Sequence, residues 1–425
     1  MNKKKATKRA TPAPEETAVP SVPKVAEHKV DKEKAAALRN FIGQMKTQGA
    51  GLVVTANEAT STYGLRRPSG IMQLDIDCAG GLPSGGLSTL AGPDGAGKSE
   101  LLYLYLAQHQ RIYGEDSRLA LCHTEGQFDF WRAKRMGLHI PIPPTLIEER
   151  RAIRASRGQA DLTKEEIAYL KFGIGDFVFI QPTVGEETLD AVLAAVESTA
   201  FGIVAIDSMQ GLIPQADADK DLDENAKRAA FATLITRFMQ RYIPMSAGLG
   251  KPNYTTVVVV SQVRANPDKG SNPYAPDFIV QIARAMKHYH LLEITLTTGQ
   301  QIRKTIRGEQ ITVGKEMKWK ITKGKAGAHD NVHGSTSLFY PEYTEHKQSV
   351  DVIGSIIVAG MKHGVISEDN RGVAHVRRPS DNHRQVLDPQ PNIATLETVM
   401  RLDPEFEQLV RQEILLAANL DCRYR

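Results

Sequence analysis

Between about Gly70 and Tyr340, short apolar runs alternate with segments whose apolar residues recur every three or four positions. Leu87–Ala91, Leu119–His123, Phe177–Ile180, Ile203–Ile206 and Thr256–Val260 are mostly apolar along their whole length, as strands covered on both faces are. Between them, Glu186–Ser198 gathers Leu189, Val192, Leu193 and Val196 on one helical face. The stretch from about Asn225 to Tyr242 does the same with Phe231, Leu234, Ile235 and Phe238. Strands alternating with helices predict a doubly wound, mostly parallel α/β sheet.

The flanks read differently. Residues 1–31, rich in Lys, Ala, Pro and Glu, offer little apolar surface and predict a disordered basic tail. Its Lys3, Lys4, Lys5, Lys8 and Arg9 suit a nucleic-acid arm, a targeting address or simply a solubilising tail. Across 32–60, Leu38, Phe41, Ile42 and Met45 form one apolar stripe of a helix, and Leu52–Thr55 reads as a strand. Within the 61–345 core, an insert at about 140–172 opens on Ile140-Pro-Ile-Pro-Pro144 and runs through a charged helix. Thr163 and Glu166 then make a capping box for a second helix. Residues 346–425 predict a small α/β or helical domain closed by a helix ending near Leu416.

Composition narrows the function classes. The chain has 425 residues, 41% hydrophobic and 24% charged, within the range of soluble globular proteins. A net charge of +4 is too mild to identify a nucleic-acid binder by itself. Cys78, Cys122 and Cys422 are far apart and without metal-ligand spacing, which excludes a disulfide framework and implies a reducing compartment. No apolar run reaches membrane length and no signal-peptide pattern opens the chain, so the expectation is a cytoplasmic protein.

Specific chemistry enters with Gly92-Pro93-Asp94-Gly95-Ala96-Gly97-Lys98-Ser99, a complete G-x-x-x-x-G-K-S sequence between a strand and the helix starting near Glu100. Such a loop aims backbone N–H groups and a helix dipole at phosphate. Lys98 is expected to reach the β/γ-phosphates of a nucleoside triphosphate, and the Ser99 hydroxyl to hold Mg²⁺. The upstream Leu82-Pro-Ser-Gly-Gly-Leu87 is read as the turn feeding the first core strand. Asp207 ends an apolar strand, where a carboxylate holds the metal's water shell or, more plainly, caps a helix. Glu125 comes just after another strand, at the edge where ligands bind in such sheets, and is the candidate catalytic base.

Other residues carry weaker signals. Asp129 and Trp131 suit the flanks of an adenine, although Trp131 also suits a core. Gln262 ends the most apolar strand and can sense a γ-phosphate, or merely terminate a buried strand. Arg264 lies two residues on, ahead of an Asn-, Pro-, Gly- and Ser-rich loop. Lys318 and Lys320 share one face of a strand, with Lys323 and Lys325 at its end; they suit phosphate contacts or a solvated edge.

Taken together, these segments resemble the RecA family of DNA strand-exchange proteins from about Glu33 to Leu416. Lys34–Gln44 resembles that family's subunit-docking helix, and Gly80–Gly86, Ala91–Ser99 and Gln181–Leu189 resemble successive pieces of its core. The resemblance implies a catalytic role for Glu125, a Mg²⁺ role for Asp207 and an allosteric one for Gln262. It places DNA-binding loops at about 214–225 and 266–281, a DNA-contacting lysine at Lys287, and lysines reaching a neighbour's ATP at Lys323 and Lys325. Departures are visible. Gln281–His290 lacks the paired glycines the family usually carries there, and Leu291–Leu296 lacks its paired arginines, for which Lys304, Arg307, Lys318 and Lys320 are candidate substitutes. The insert and basic tail point to a divergent member of a kind a bacteriophage could encode, acting in the host's nucleoid or replication compartment.

The resemblance implies a RecA-like core that binds ssDNA and dsDNA, hydrolyses ATP with Mg²⁺, assembles as a homo-oligomeric helical filament and exchanges homologous strands, without a membrane role. Two rivals share the core: a ring-forming helicase, and an ATP-binding recombination mediator that exchanges nothing.

Overall fold

The computed structural model describes residues 65–219, 223–246, 253–266, 278–280, 284–306, 308–340, 349–381, 384–385 and 391–420, with six residues between Ala36 and Gln44. Those six are helical, as the apolar stripe predicts, and Phe41 is half exposed. The tail, the strand at 52–55, most of the second expected DNA loop and Arg307 lie outside the described residues.

Nine strands form the large sheet: β1 (Leu87–Gly92), β2 (Arg118–His123), β3 (Asp176–Ile180), β4 (Ile203–Asp207), β5 (Thr256–Ala265), β6 (Phe278–Val280), β7 (Leu292–Ile306), β8 (Glu309–Gly324) and β9 (His333–Phe339). Their spatial order is β9-β8-β7-β1-β5-β4-β2-β3, with β6 paired to β5. From β7 to β3 every pairing is parallel, whereas β6, β8 and β9 add antiparallel partners. Besides a short helical turn at Gln215–Asp219, the helices between them are α1 (Lys98–Tyr113), α2 (Phe130–Arg135), α3 (Pro144–Ser156), α4 (Lys164–Lys171), α5 (Gly185–Glu197), α6 (Glu224–Ser246) and α7 (Arg284–Tyr289).

Successive strand residues feed two separate cores. Leu119, Leu121, Val258 and Val260 pack with α1 on one face. Ala120, Cys122, Val257 and Val259 pack with α5 and α6 on the other. The period-two alternation of a strand therefore buries both of its faces, as a continuous apolar run requires. One strand departs from this expectation. In β3, Val178 and Phe179 are 43% and 38% exposed, because β3 is the last strand of the sheet and has a neighbour only on the β2 side.

The strand expected at Leu291–Leu296 runs on to Ile306 and turns into β8 through Gly308 at φ +89°. On β8, Met317, Trp319 and Ile321 are buried, while Lys318 and Lys320 face outward as their spacing predicts. Lys323 lies inside the strand and Lys325 just past its end.

The insert builds a small core of its own. Ile142, Ile147 and Leu162 are buried with Phe130, Trp131, Leu146, Ile167 and Leu170 around them, and the Thr163 capping box is present in full. The C-terminal region is α/β: α8 (Val352–Lys362), a three-stranded sheet of β10 (Ile366–Glu368), β11 (Ala374–Arg378) and β12 (Arg384–Gln385), then α9 (Ile393–Leu402) and α10 (Pro404–Ala417). Its apolar cluster includes Met72 from the segment preceding β1. Arg411 adds a polar tie, binding Glu407 at 2.7 Å and the Gly70 carbonyl at 3.1 Å, while Arg111 of α1 reaches Glu407 at 3.0 Å.

Candidate functional site

The carboxyl ends of the parallel strands converge on one crevice, where ligands of open α/β sheets bind. Gly92 ends β1 and the glycine loop turns directly into α1, whose N-cap Gly97 has φ +99°. The loop tip is a tight turn in which Ala96 N donates to the Pro93 carbonyl at 3.2 Å, with Gly95 at φ +70°. Lys98 Nζ lies over the same carbonyl at 3.0 Å and is 3.7 Å from Asp94. The fold thus presents a helix N-terminus, a glycine loop and a lysine to one small volume, an arrangement suited to phosphate.

Register fixes what stands beside the loop. Gln262 of β5 pairs with Gly92, and Asp207 of β4 pairs with His123 of β2. Asp207 is 1% exposed, and neither of its carboxylate oxygens has a hydrogen-bond partner. Burial raises its pKa and the charge of Glu125 adds to that, whereas the facing Ser99 hydroxyl, His123 and Lys98 pull it down. A buried carboxylate left without a partner is costly unless something positive shares the space. Ser99 and Asp207 are the sparse oxygen donor set that a largely hydrated Mg²⁺ takes up, with phosphate oxygens and water completing its shell. Among the described residues there is no cluster of three or more His, Cys, Asp or Glu fit to hold a metal unaided.

Glu125 is exposed just beyond β2 and is held by its neighbours. The Ser208 hydroxyl donates to Glu125 Oε1, and Ser208 N donates to Thr124 Oγ1 at 2.9 Å. Thr124 Oγ1 donates in turn to the Ser208 carbonyl at 2.6 Å, and Thr124 N to the Asp207 carbonyl at 2.7 Å. The Asp207–Ser208 peptide is cis. This lattice ties the candidate base to the candidate metal carboxylate.

The half-buried Gln262 side chain has no hydrogen-bond partner among the described residues, while its backbone N donates to Gln210 Oε1 at 3.0 Å. Gln210 also donates to Ser261 Oγ at 2.9 Å, so it bridges the turn after Asp207 to the end of β5. That turn leads into a groove of about 580 Å³ where Arg264 and Lys287 meet Lys227 and Arg228 over a floor that includes Phe231, Ile279 and Val280. Lys318 and Lys320 lie elsewhere, on the outer face of β8. Lys323 Nζ donates to the Lys287 carbonyl and Lys325 Nζ to the His288 carbonyl at 3.3 Å, so both expected interface lysines sit on the C-terminal end of α7. A helix C-terminus is where cations are favoured. Burial and the neighbouring Lys325 lower the Lys323 pKa. Lys304 lies on β7, in register with Ile311.

Two expected residues take other work. Asp129 caps α2 by accepting from Arg132 N at 2.9 Å. Trp131 packs against the insert's core, and the Arg150 guanidinium lies 4.3 Å from its ring centre. Its half-buried indole packs as the core alternative expected, beside the Asp129 cap. Sequence reading missed Ser208 and Gln210 as positioning residues, because only the register brings Ser208 to Glu125 and Gln210 to β5. It also missed the Arg132–Glu100 pair that fastens α2 to α1.

Comparison with known proteins is consistent with this geometry. The RecA N-terminal domain model matches residues 161–342, downstream of the glycine loop. Protein RecA of Clostridium perfringens (strain 13 / Type A) is 23% identical over 371 residues, covering 86% of this chain and 90% of that protein. Protein RecA of Caldanaerobacter subterraneus subsp. tengcongensis is 23% identical over 393 residues, covering 91% and 96%. Protein RecA of Brevibacillus brevis is 23% identical over 372 residues, covering 87% and 91%. Among the described residues no helix is long and apolar enough to cross a membrane.

Proposed function

We propose that the chain is a divergent member of the RecA family and that it is an ATP-dependent strand-exchange protein acting on DNA as a homo-oligomeric filament. One observation carries the reading: the glycine loop, the unpartnered Asp207 carboxylate, Glu125 and Gln262 meet at the ends of adjacent strands.

In this reading Gly92–Ser99 and the N-terminus of α1 cradle the phosphates of ATP, and Lys98 leaves the Pro93 carbonyl for them. Ser99 and Asp207 hold Mg²⁺, which when bound neutralises phosphate charge. Glu125, steadied by Ser208, takes a proton from the water that attacks the γ-phosphorus. The bond to the β–γ bridging oxygen breaks, leaving ADP and phosphate. Gln262 meets the γ-phosphate and loses that contact on hydrolysis, and Gln210 carries the difference toward the groove of Arg264 and Lys287. Those two cations grip a DNA backbone, with Lys318 and Lys320 as further phosphate contacts. Asp129 keeps a place on the adenine side. Lys323 and Lys325, together on the end of α7, reach the ATP of an adjoining subunit in the filament.

The deciding experiment is strand exchange between a labelled oligonucleotide and either homologous or scrambled duplex, with a slowly hydrolysed ATP analogue. Exchange with homologous duplex alone supports the proposal, because a helicase needs turnover and a mediator pairs nothing. Intact DNA binding without exchange sinks it and favours the helicase or mediator.

A further inference from the structure

Strand β8 brings to the phosphate loop a cation that no motif announces. Lys315 Nζ donates to the Gly95 carbonyl, and a Cβ built on Gly95 would stand 3.8 Å from that ammonium. The contact belongs to a wider seat. Thr298 Oγ1 lies 3.5 Å from the same carbonyl, and the buried Met317, two residues along β8, packs beneath Gly97. The Leu296 carbonyl closes on Gly92. The loop therefore rests along its length on the β7–β8 hairpin, and Lys315 is the charged end of that rest.

Its electrostatic position is unusual. Among the described residues no carboxylate lies within ion-pair range of Lys315; the adjacent Glu316, on the other face of the strand, is occupied by Lys318 at 3.3 Å. An ammonium carries three donors and a compact, strongly hydrated charge. Here one donor goes to a neutral carbonyl at an exposed loop tip, and the charge has no counter-ion among the described residues. The helix N-terminus and glycine backbone serve the inner phosphates of a nucleotide. A cation over the loop tip adds positive charge that the more negative triphosphate meets more strongly than the diphosphate does.

We infer that Lys315 is a phosphate-binding residue of the nucleotide site, supplied by the same chain, that favours a nucleoside triphosphate over its diphosphate. The inference rests on the nucleotide reading above. It is distinct from Lys323 and Lys325, whose ammonium groups lie on the carbonyls ending α7.

The test is calorimetric titration of the full chain with ATP and with ADP, in Mg²⁺ and without DNA, comparing wild type with K315M and K315R. The expected result for K315M is ATP binding weakened about tenfold, equivalent to ~1.4 kcal/mol, with ADP binding changed less than about twofold and an unchanged melting temperature. K315R should bind ATP nearly as wild type does. Equal losses for ATP and ADP would make Lys315 a loop brace only, and unchanged ATP affinity would make it idle; either overturns the inference. If the wild-type chain binds no ATP, the nucleotide reading itself falls, and this inference falls with it.

Discussion

Substituting Gly97 by Ala tests how tightly the phosphate loop is fitted to its seat. Gly97 holds φ +99°, where an L side chain crowds its own backbone; that strain costs about 1–2 kcal/mol. The new Cβ would also stand 2.6 Å from Met317 Sδ and 3.3 Å from its Cγ. Met317 is fully buried, so its thioether has no solvent to swing into, and overpacking a filled core adds about 1–3 kcal/mol. Gly97→Ala should therefore cost ~2–5 kcal/mol. Denaturant unfolding monitored by tryptophan fluorescence, to which Trp319, buried on β8, contributes with Trp131, reads this. Met317→Ala removes the steric partner, so the pair should couple by roughly 1–3 kcal/mol while the backbone strain persists. A Gly97→Ala cost below about 1 kcal/mol, or single and double mutants additive within ~0.5 kcal/mol, would refute the fit.

The site and the core carry further expected outcomes. Lys98→Ala should abolish ATP turnover; turnover at wild-type rate would remove the phosphate loop from the reading. Glu125→Ala should keep nucleotide binding and lower the hydrolysis rate about 10²–10⁴-fold, and Ser208→Ala should cause a smaller loss in kcat with KM held, because it only releases the base. Loss of nucleotide binding in Glu125→Ala would make that residue structural. His109 and His290 are buried, and their pKa values are lowered to about 3, chiefly by burial and then by nearby cations. Unfolded histidine binds a proton near pH 6.5 and the folded protein does not, so the unfolded state takes up more protons and stability falls as pH drops below that point. Each should contribute a slope of ~1.4 kcal/mol per pH unit, and His290→Gln should flatten the denaturation profile between pH 6.5 and 5; an unchanged profile would count against a neutral buried His290. Trp131→Ala should lower the melting temperature through the insert and leave the KM for ATP alone, and a large rise in KM would restore the indole to the adenine side.

Much of the candidate site is legible in the sequence. The glycine loop, Lys98 and Ser99 are contiguous, so a strand–turn–helix reading places them without long-range information. Glu125, Asp207 and Gln262 can be found because each stands at or just past the end of an apolar run, and strand ends in such sheets face one crevice. The insert's capping box and the outward Lys318 and Lys320 are readable for the same reason: their logic spans only a few residues. Trp131 stays ambiguous in the sequence because an indole beside a carboxylate looks alike whether it meets a base or a packed guanidinium, and only the insert's folding brings Arg150 over it. The exposure of Val178 and Phe179 is hidden because an apolar run does not reveal whether its strand lies inside a sheet or at its edge.

The sequence by itself determined the element types, the phosphate loop and the strand-end carboxylates, since backbone sterics and hydrophobic periodicity act locally. Tertiary structure alone decided the partners. Strand order and register put Gln262 beside Gly92, Ser208 on Glu125 and Lys315 on Gly95, pairs separated by as many as 220 residues. Such contacts are selected by the packing of the whole sheet, which no local pattern encodes.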